Sequence, residues 1–305
     1  MTTASALAAA GGPRAGILLQ DRNFKYWLIA PAVLVMLLVG LFPVGYSLVA
    51  SVQYLTMMDQ DYSWYGFGWY EFLLEDDRFW ESMWHTGLIT AIALPTELVL
   101  GLLLARLFLA DLRAKPIFIA ILLLPSVICP IVVGAVWRVM FDTRYGPITH
   151  FLSWVNGETV EITWVVDPTW VYPVILIAEV WQWFPFMFLI LYAALSNVDT
   201  DLTDAASIDG AGFWTTFFRI ALPAIWPVMF IAILIRLLDL VRIFDIVFVV
   251  TRGGPGTLTE TTPIYMYITG FHQFETSYTG AMVFLIIVLL SIIVVTALRR
   301  VEIAR

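Results

Sequence analysis

Ala281-Met282-Val283-Phe284-Leu285-Ile286-Ile287-Val288-Leu289-Leu290-Ser291-Ile292-Ile293-Val294-Val295-Thr296-Ala297-Leu298 runs for eighteen residues without a charge and stops at Arg299-Arg300. A helix rises about 1.5 Å per residue, so a run of this length covers most of a hydrocarbon layer roughly 30 Å thick. Five comparable runs precede it, at about Tyr26 to Leu48, Thr86 to Leu109, Ile117 to Met140, Val171 to Leu195 and Ile220 to Val241. The expected fold is therefore an all-α polytopic membrane protein with six transmembrane helices. Pro43, Pro95, Pro125, Pro130, Pro185 and Pro227 fall inside these runs. Each predicts a kink, and a kink leaves backbone carbonyls that another group must satisfy.

Composition supports the same class. The 305-residue chain is 61% hydrophobic and 13% charged, whereas a soluble domain is typically about half apolar and about a quarter charged. Six spans of roughly 20 residues leave modest loops and no room for a separate enzyme domain. The formal charge of -8 identifies no ligand, because in a membrane protein the distribution of Lys and Arg carries the information. Cys129 is the sole cysteine, which excludes an intrachain disulfide and any Cys-based metal motif. His85, His150 and His272 are scattered without ligand spacing, so no metal site is expected. No Ser-His-Asp order or carboxylate pair stands out in the loops, and no catalytic residue is assigned.

The residues through Gln20 are rich in Ala and Gly and lack the charged start and compact apolar core of a cleaved signal. Residues 1–25 read as a disordered cytoplasmic tail, 26–298 as the membrane domain and 299–305 as a second cytoplasmic tail. The first span, preceded by Arg22 and Lys25, reads as a signal anchor. Basic residues outside the spans divide unequally. Arg14, Arg22, Lys25, Arg106, Arg113, Lys115, Arg219, Arg299, Arg300 and Arg305 fall on one side; Arg78, Arg138, Arg144 and Arg252 fall on the other. The richer side is the cytoplasm, which places both termini there. The loop from Thr56 to Trp84 carries Asp59, Asp61, Glu71, Glu75, Asp76, Asp77 and Glu81 among many aromatics and reads as external. In the loop from Asp142 to Trp170, Trp154, Trp164 and Trp170 are expected at the membrane surface.

One cytoplasmic loop, at about 199–219, departs from the basic bias: Asp199, Asp201, Asp204 and Asp209 face only Arg219. An exposed acidic loop suits a basic partner. It reads as two short helices with a hinge, the first capped by Thr203 or Asp201 and stopped by a left-handed Gly210. Ala205 and Ala206 leave a bare surface that another protein's cleft can approach, with Ile208, Phe213 and Trp214 as apolar anchors.

The sequence Asp204-Ala205-Ala206-Ser207-Ile208-Asp209-Gly210, followed after nine residues by Ile220-Ala221-Leu222-Pro223, resembles the cytoplasmic motif of ABC importer permeases. That motif reads Glu-Ala-Ala, three residues, Gly, nine residues, Ile-x-Leu-Pro. Asp204 replaces the glutamate and keeps its charge. Further stretches resemble the carbohydrate branch of the superfamily, the maltose and glycerol-phosphate type. They are Leu124-Pro125, Trp137-Arg138, Phe141, Tyr145-Gly146-Pro147, Arg242-Ile243-Phe244-Asp245, Thr251-Arg252-Gly253-Gly254-Pro255 and Thr259-Glu260-Thr261.

The resemblance implies a type I importer permease of a bacterial inner membrane, carrying a sugar, polyol or glycoside. It implies a coupling helix built from Asp204, Ala205, Ala206, Ile208, Asp209, Gly210, Phe213 and Trp214. Its partners would be a second homologous permease, two ATP-binding subunits, an extracytoplasmic solute-binding protein and membrane lipid, with no nucleic acid. Mg-ATP would sit on the ATPase subunits and no cofactor on this chain. The residues agree: Lys25 follows Phe24 and Lys115 follows Ala114, so neither belongs to a Gly-Lys-Ser/Thr phosphate loop.

Charges inside the spans add candidates for the pathway. Arg236, Asp239, Arg242 and Asp245 recur every three residues along span five, a spacing that lets neighbours pair in sequence. Such a ladder either neutralises itself as a structural element or faces a polar solute. Span four adds Glu179 and Gln182 beside Trp181 and Trp183, hydrogen-bonding groups next to flat aromatic faces. The same intramembrane charges would also suit an ion relay in a gradient-driven carrier, although no inverted repeat stands out.

Overall fold

A computed structural model describes residues 24–56, 58 and 62–303. The expected tail through residue 23, together with Asp59, Asp61 and Arg305, lies outside the described residues; Phe24 and Lys25 already belong to the first helix. The chain opens with α1 (Phe24–Met36), which passes through a π-helical turn at Leu37–Leu41 into α2 (Phe42–Ala50). A second wide turn, Phe217–Ala221, precedes Pro223 as the first precedes Pro43. Proline has no N–H to return to the carbonyl four residues earlier, and the widened turn accommodates the missing bond.

Next come α3 (Gly68–Glu75) and the long α4 (Asp77–Leu107). The expected third span is not one helix. It is α5 (Lys115–Val127) and α6 (Pro130–Met140), bent by 96° at the break. Pro130 forces the break by withdrawing a donor and holding the preceding Cys129 in extended backbone, ψ 132°. The short α7 (Pro147–Asn156) leads to α8 (Val171–Ser196), then α9 (Thr200–Ile208) and α10 (Phe213–Thr216). The fifth span, α11 (Leu222–Val241), is followed after a break by α12 (Asp245–Val250), then α13 (Thr262–Tyr267) and α14 (Thr276–Ile303). Among the described residues, five helical stretches are long and apolar enough to cross a membrane, or six if the bent α5–α6 pair counts as one span. The expected tail from residue 299 begins inside α14, which continues to Ile303.

The broadest helix pairing joins α4 to α8. On α4, Ala93, Glu97, Gly101 and Ala105 recur every fourth residue and are all buried. This small-residue seam lets the two backbones approach. At Gly101 a Cβ would fall 2.7 Å from Cβ of Met187 and 2.9 Å from the backbone nitrogen of Phe188.

The two ends of the bundle are distinct. At one end Asp76 caps α4, accepting from the Arg78 and Phe79 N–H groups and from the hydroxyls of Tyr265 and Tyr278. Arg78 donates twice to Glu260, at 2.8 and 3.1 Å, so α3, α4, α13 and α14 are tied together there. At the other end Arg106, near the close of α4, lies over the Phe213 ring at 4.4 Å and brings α10 beneath the bundle. Of the tryptophans expected at the membrane surface, Trp154 is exposed but Trp164 is not. It is 4% exposed, packs on Phe141 and donates to Thr149 at 2.8 Å. A polar partner for its N–H makes interior burial affordable, and the aromatic-belt reading fails for this residue.

Candidate functional site

Two broken helices meet in the middle of the bundle, where α12 packs along α6. A break exposes carbonyls, and both breaks are answered by a side chain from elsewhere. Gln182 of α8 donates to the Ile128 carbonyl at 2.9 Å, and Thr261 donates to the Ile243 carbonyl at 2.9 Å. Arg138 of α6 donates to the Val249 carbonyl at 2.8 Å and so holds the end of α12. Irregular backbone at membrane depth is tolerated where protein or a polar cavity surrounds it, and here both conditions hold.

Beside the breaks lies a cavity of about 270 Å³ whose lining includes Glu179, Trp183, Arg236, Asp239, Arg242 and Asp245. Arg236 is among the lining residues and is 1% exposed. Its guanidinium donates to both oxygens of Glu97 at 2.7 and 2.8 Å and to Glu179 at 2.5 Å. The Trp183 ring lies 4.8 Å away. Three helices, α4, α8 and α11, are thereby locked through one cation by charge-assisted bonds.

Pairing along the expected ladder is only partly realised. Arg236 turns away from Asp239 to the two glutamates, while Arg242 binds Asp239 at 2.7 Å as an exposed pair. The helix ends at Val241, so Asp245 belongs to α12 rather than to the same helix face. Among the described residues the Asp245 side chain, half-buried, has no hydrogen bond or ion pair. The span-four candidates separate as well. Glu179 and Trp183 reach the cavity, Gln182 is buried at the α5–α6 break, and Trp181 packs edge-on against Trp137 in the apolar core.

At the far end of the bundle, α9 and α10 carry the other group of candidates. Asp199, not Thr203 or Asp201, is the N-cap of α9, its carboxylate accepting from Asp201 N–H at 2.9 Å. Gly210 has φ +79° and ends the helix in left-handed backbone. Asp204, Ala205, Asp209 and Gly210 are exposed, and so are Ile208 at 86%, Phe213 at 51% and Trp214 at 62%. Ala206 departs from the expected bare surface: it faces inward and is 9% exposed. In the loop before α7, Asp142 accepts from the Tyr145 and Arg144 N–H groups at 2.8 Å each. Those bonds hold its carboxyl below the usual range.

The family described as "Binding-protein-dependent transport system inner membrane component" matches residues 97–302. The chain belongs to that family. The permease is 33% identical over 245 residues to the trehalose transport system permease protein of Mycobacterium tuberculosis, covering 80% of this chain and 78% of that one. It is 31% identical over 252 residues to the sulfoquinovosyl glycerol transport system permease protein of Agrobacterium fabrum, covering 82% and 80%. With the sn-glycerol-3-phosphate transport system permease protein of Shigella flexneri it shares 27% identity over 93% of this chain and 95% of that one. Among solved structures, a chain of a bacterial ABC transporter involved in alginate import superimposes with a TM-score of 0.80 at 21% identity, covering 92% and 95%. That likeness fixes the fold as an ABC importer permease fold.

Two residues of the permease's central cluster lie outside the ladder and the span-four group. Glu97 is an acid within the second apolar run, in register with Ala93, Gly101 and Ala105. That register is its signal, since an acid in a small-residue seam needs a cation opposite it. Thr261 lies in a loop, and nothing in its local sequence points to the Ile243 carbonyl.

Proposed function

We propose that this chain forms half of the translocation pathway of an ATP-driven importer for a sugar, polyol or glycoside. In this reading the solute passes the cavity at the two helix breaks. The observation that carries the proposal is the cavity itself: charged and hydrogen-bonding groups beside the Trp183 ring, at membrane depth, where such groups are costly unless they serve a polar solute or a partner. Relatives named for trehalose, sulfoquinovosyl glycerol and sn-glycerol-3-phosphate transport support a small polyhydroxylated solute.

A second homologous permease completes the pathway, an external solute-binding protein delivers the solute, and two ATPase subunits bind Mg-ATP on the cytoplasmic side. The exposed acids of α9 and the apolar Ile208, Phe213 and Trp214 dock in a cleft of an ATPase subunit. Closure of the ATPase pair then moves α9 and α10 as a unit, because packed interfaces shift rather than deform continuously. Both termini lie in the cytoplasm of a bacterial cell. A solved relative of the fold is described in complex with a substrate-bound periplasmic protein, which accords with delivery from outside. The gradient-driven alternative has no support among these relatives.

The test is ATPase activity of the assembled complex in lipid with solute-loaded binding protein. The loaded binding protein should stimulate hydrolysis in the wild type, and Gly210→Asp should remove that stimulation while the complex still assembles. Equal stimulation in the variant would contradict coupling through this loop.

A further inference from the structure

Resting on the sugar-importer reading above, we infer that the pathway is selective for uncharged polyhydroxyl solutes and rejects anionic ones, with Asp245 as the residue that receives the solute's hydroxyls.

The charges around the cavity carry this inference. Four carboxylates, Glu97, Glu179, Asp239 and Asp245, stand against two guanidinium groups, Arg236 and Arg242. Both cations are engaged. Arg236 is buried and its guanidinium is divided between Glu97 and Glu179; Arg242 holds Asp239 at 2.7 Å. The remaining charge is Asp245, whose carboxylate has no partner among the described residues and opens on the cavity from the start of α12. A solute arriving here meets an unpartnered acceptor, and each cation lining the cavity already holds a carboxylate.

An ionised carboxylate only accepts hydrogen bonds and has sites for several donors. A polyol or neutral sugar brings O–H donors in adjacent pairs that one carboxylate can receive through both oxygens. Bonds to a charged acceptor are about twice as strong as those between neutral groups. A phosphate, sulfonate or uronate brings a second anion to the same wall. Repulsion between that anion and the half-buried Asp245 carboxylate is screened less than between fully exposed groups. To be neutralised here, such a solute would have to compete with Asp239 for the exposed Arg242 or break the triad on Arg236, and the second would strand a buried carboxylate. Relatives in this family are named for trehalose, sulfoquinovosyl glycerol and sn-glycerol-3-phosphate transport, so family membership alone does not decide between neutral and anionic solutes.

The experiment uses the full transporter in proteoliposomes: this chain, its partner permease, the ATPase subunits and the binding protein. Uptake is measured for trehalose, maltose and sorbitol, and for sn-glycerol 3-phosphate and glucuronate. The affinity of the binding protein for each probe is measured separately, so that rates are compared at equal loading. We expect uptake of at least one neutral probe and at least tenfold slower uptake of both anions. Asp245→Asn should raise the apparent KM for the neutral probe at least tenfold, Asp245→Glu should recover part of that loss, and both variants should assemble as judged by gel filtration. Uptake of an anionic probe at the neutral rate would overturn the inference while leaving the sugar-importer reading intact. So would an unchanged KM in Asp245→Asn. Failure to take up any probe of either set would overturn the sugar-importer reading itself, and this inference with it.

Discussion

At Arg236 one buried guanidinium ties α4, α8 and α11 together, and its burial sets the cost of removing either of its carboxylate partners. Three-residue intervals suggest that Arg236, Asp239, Arg242 and Asp245 pair along one helix, and Arg242 and Asp239 do. Arg236 instead crosses to Glu97 and Glu179 on two other helices, a choice that depends on tertiary packing and is signalled in sequence only by an acid in the small-residue register of α4. The energetic consequences differ accordingly. Glu97→Gln leaves a buried guanidinium short of one carboxylate, and truncating one member of such a group commonly costs about 3 to 5 kcal/mol. Asp239→Asn breaks an exposed pair and should cost less than about 1 kcal/mol. Thermal unfolding of the assembled complex should therefore separate the two variants clearly; equal shifts would contradict the triad. Gln182→Leu should fall between them, because it orphans the Ile128 carbonyl at a cost of about 1 to 3 kcal/mol.

At the scale of elements, the apolar runs and their prolines are legible and the angles between pieces are not. Pro130 announces a break in the third run, yet the 96° bend depends on α12 lying along α6, which no local pattern encodes. The acidic loop at about 199–219 is more fully legible. Two short helices with a left-handed Gly210 between them follow from turn chemistry, whereas the cap at Asp199 and the inward-facing Ala206 emerge only from the packed structure. A Cβ at Gly210 would meet nothing within 4 Å, although φ +79° strains any side chain. Gly210→Ala should therefore cost about 1 kcal/mol of intrinsic strain and leave the fold intact, so a larger loss of stimulated ATPase reports on a partner at this turn. Gly101→Ala is the opposite case. Its Cβ would strike the α8 backbone, and overpacking at such a seam costs about 1 to 3 kcal/mol. It should lower the unfolding temperature of the complex without changing solute preference.

For the whole molecule, composition gives the class and the Lys and Arg bias an expected orientation, while the mutual arrangement of the spans rests on seams such as the one through Gly101 that become visible only when packed. The orientation can be checked by impermeant thiol labelling in intact spheroplasts. In a Cys129→Ala background, a cysteine at the exposed Glu158 should label and one at the exposed Arg113 should not; the reverse pattern would invert the topology. The central claim, that this chain is half of an ATP-driven pathway, is tested most directly by uptake into proteoliposomes holding the complete transporter and binding protein, with Mg-ATP either enclosed or omitted and ionophores present to collapse proton and sodium gradients. The account predicts that solute accumulates only with enclosed Mg-ATP and binding protein and is indifferent to the ionophores. Accumulation without nucleotide that disappears when the gradients are collapsed would contradict it.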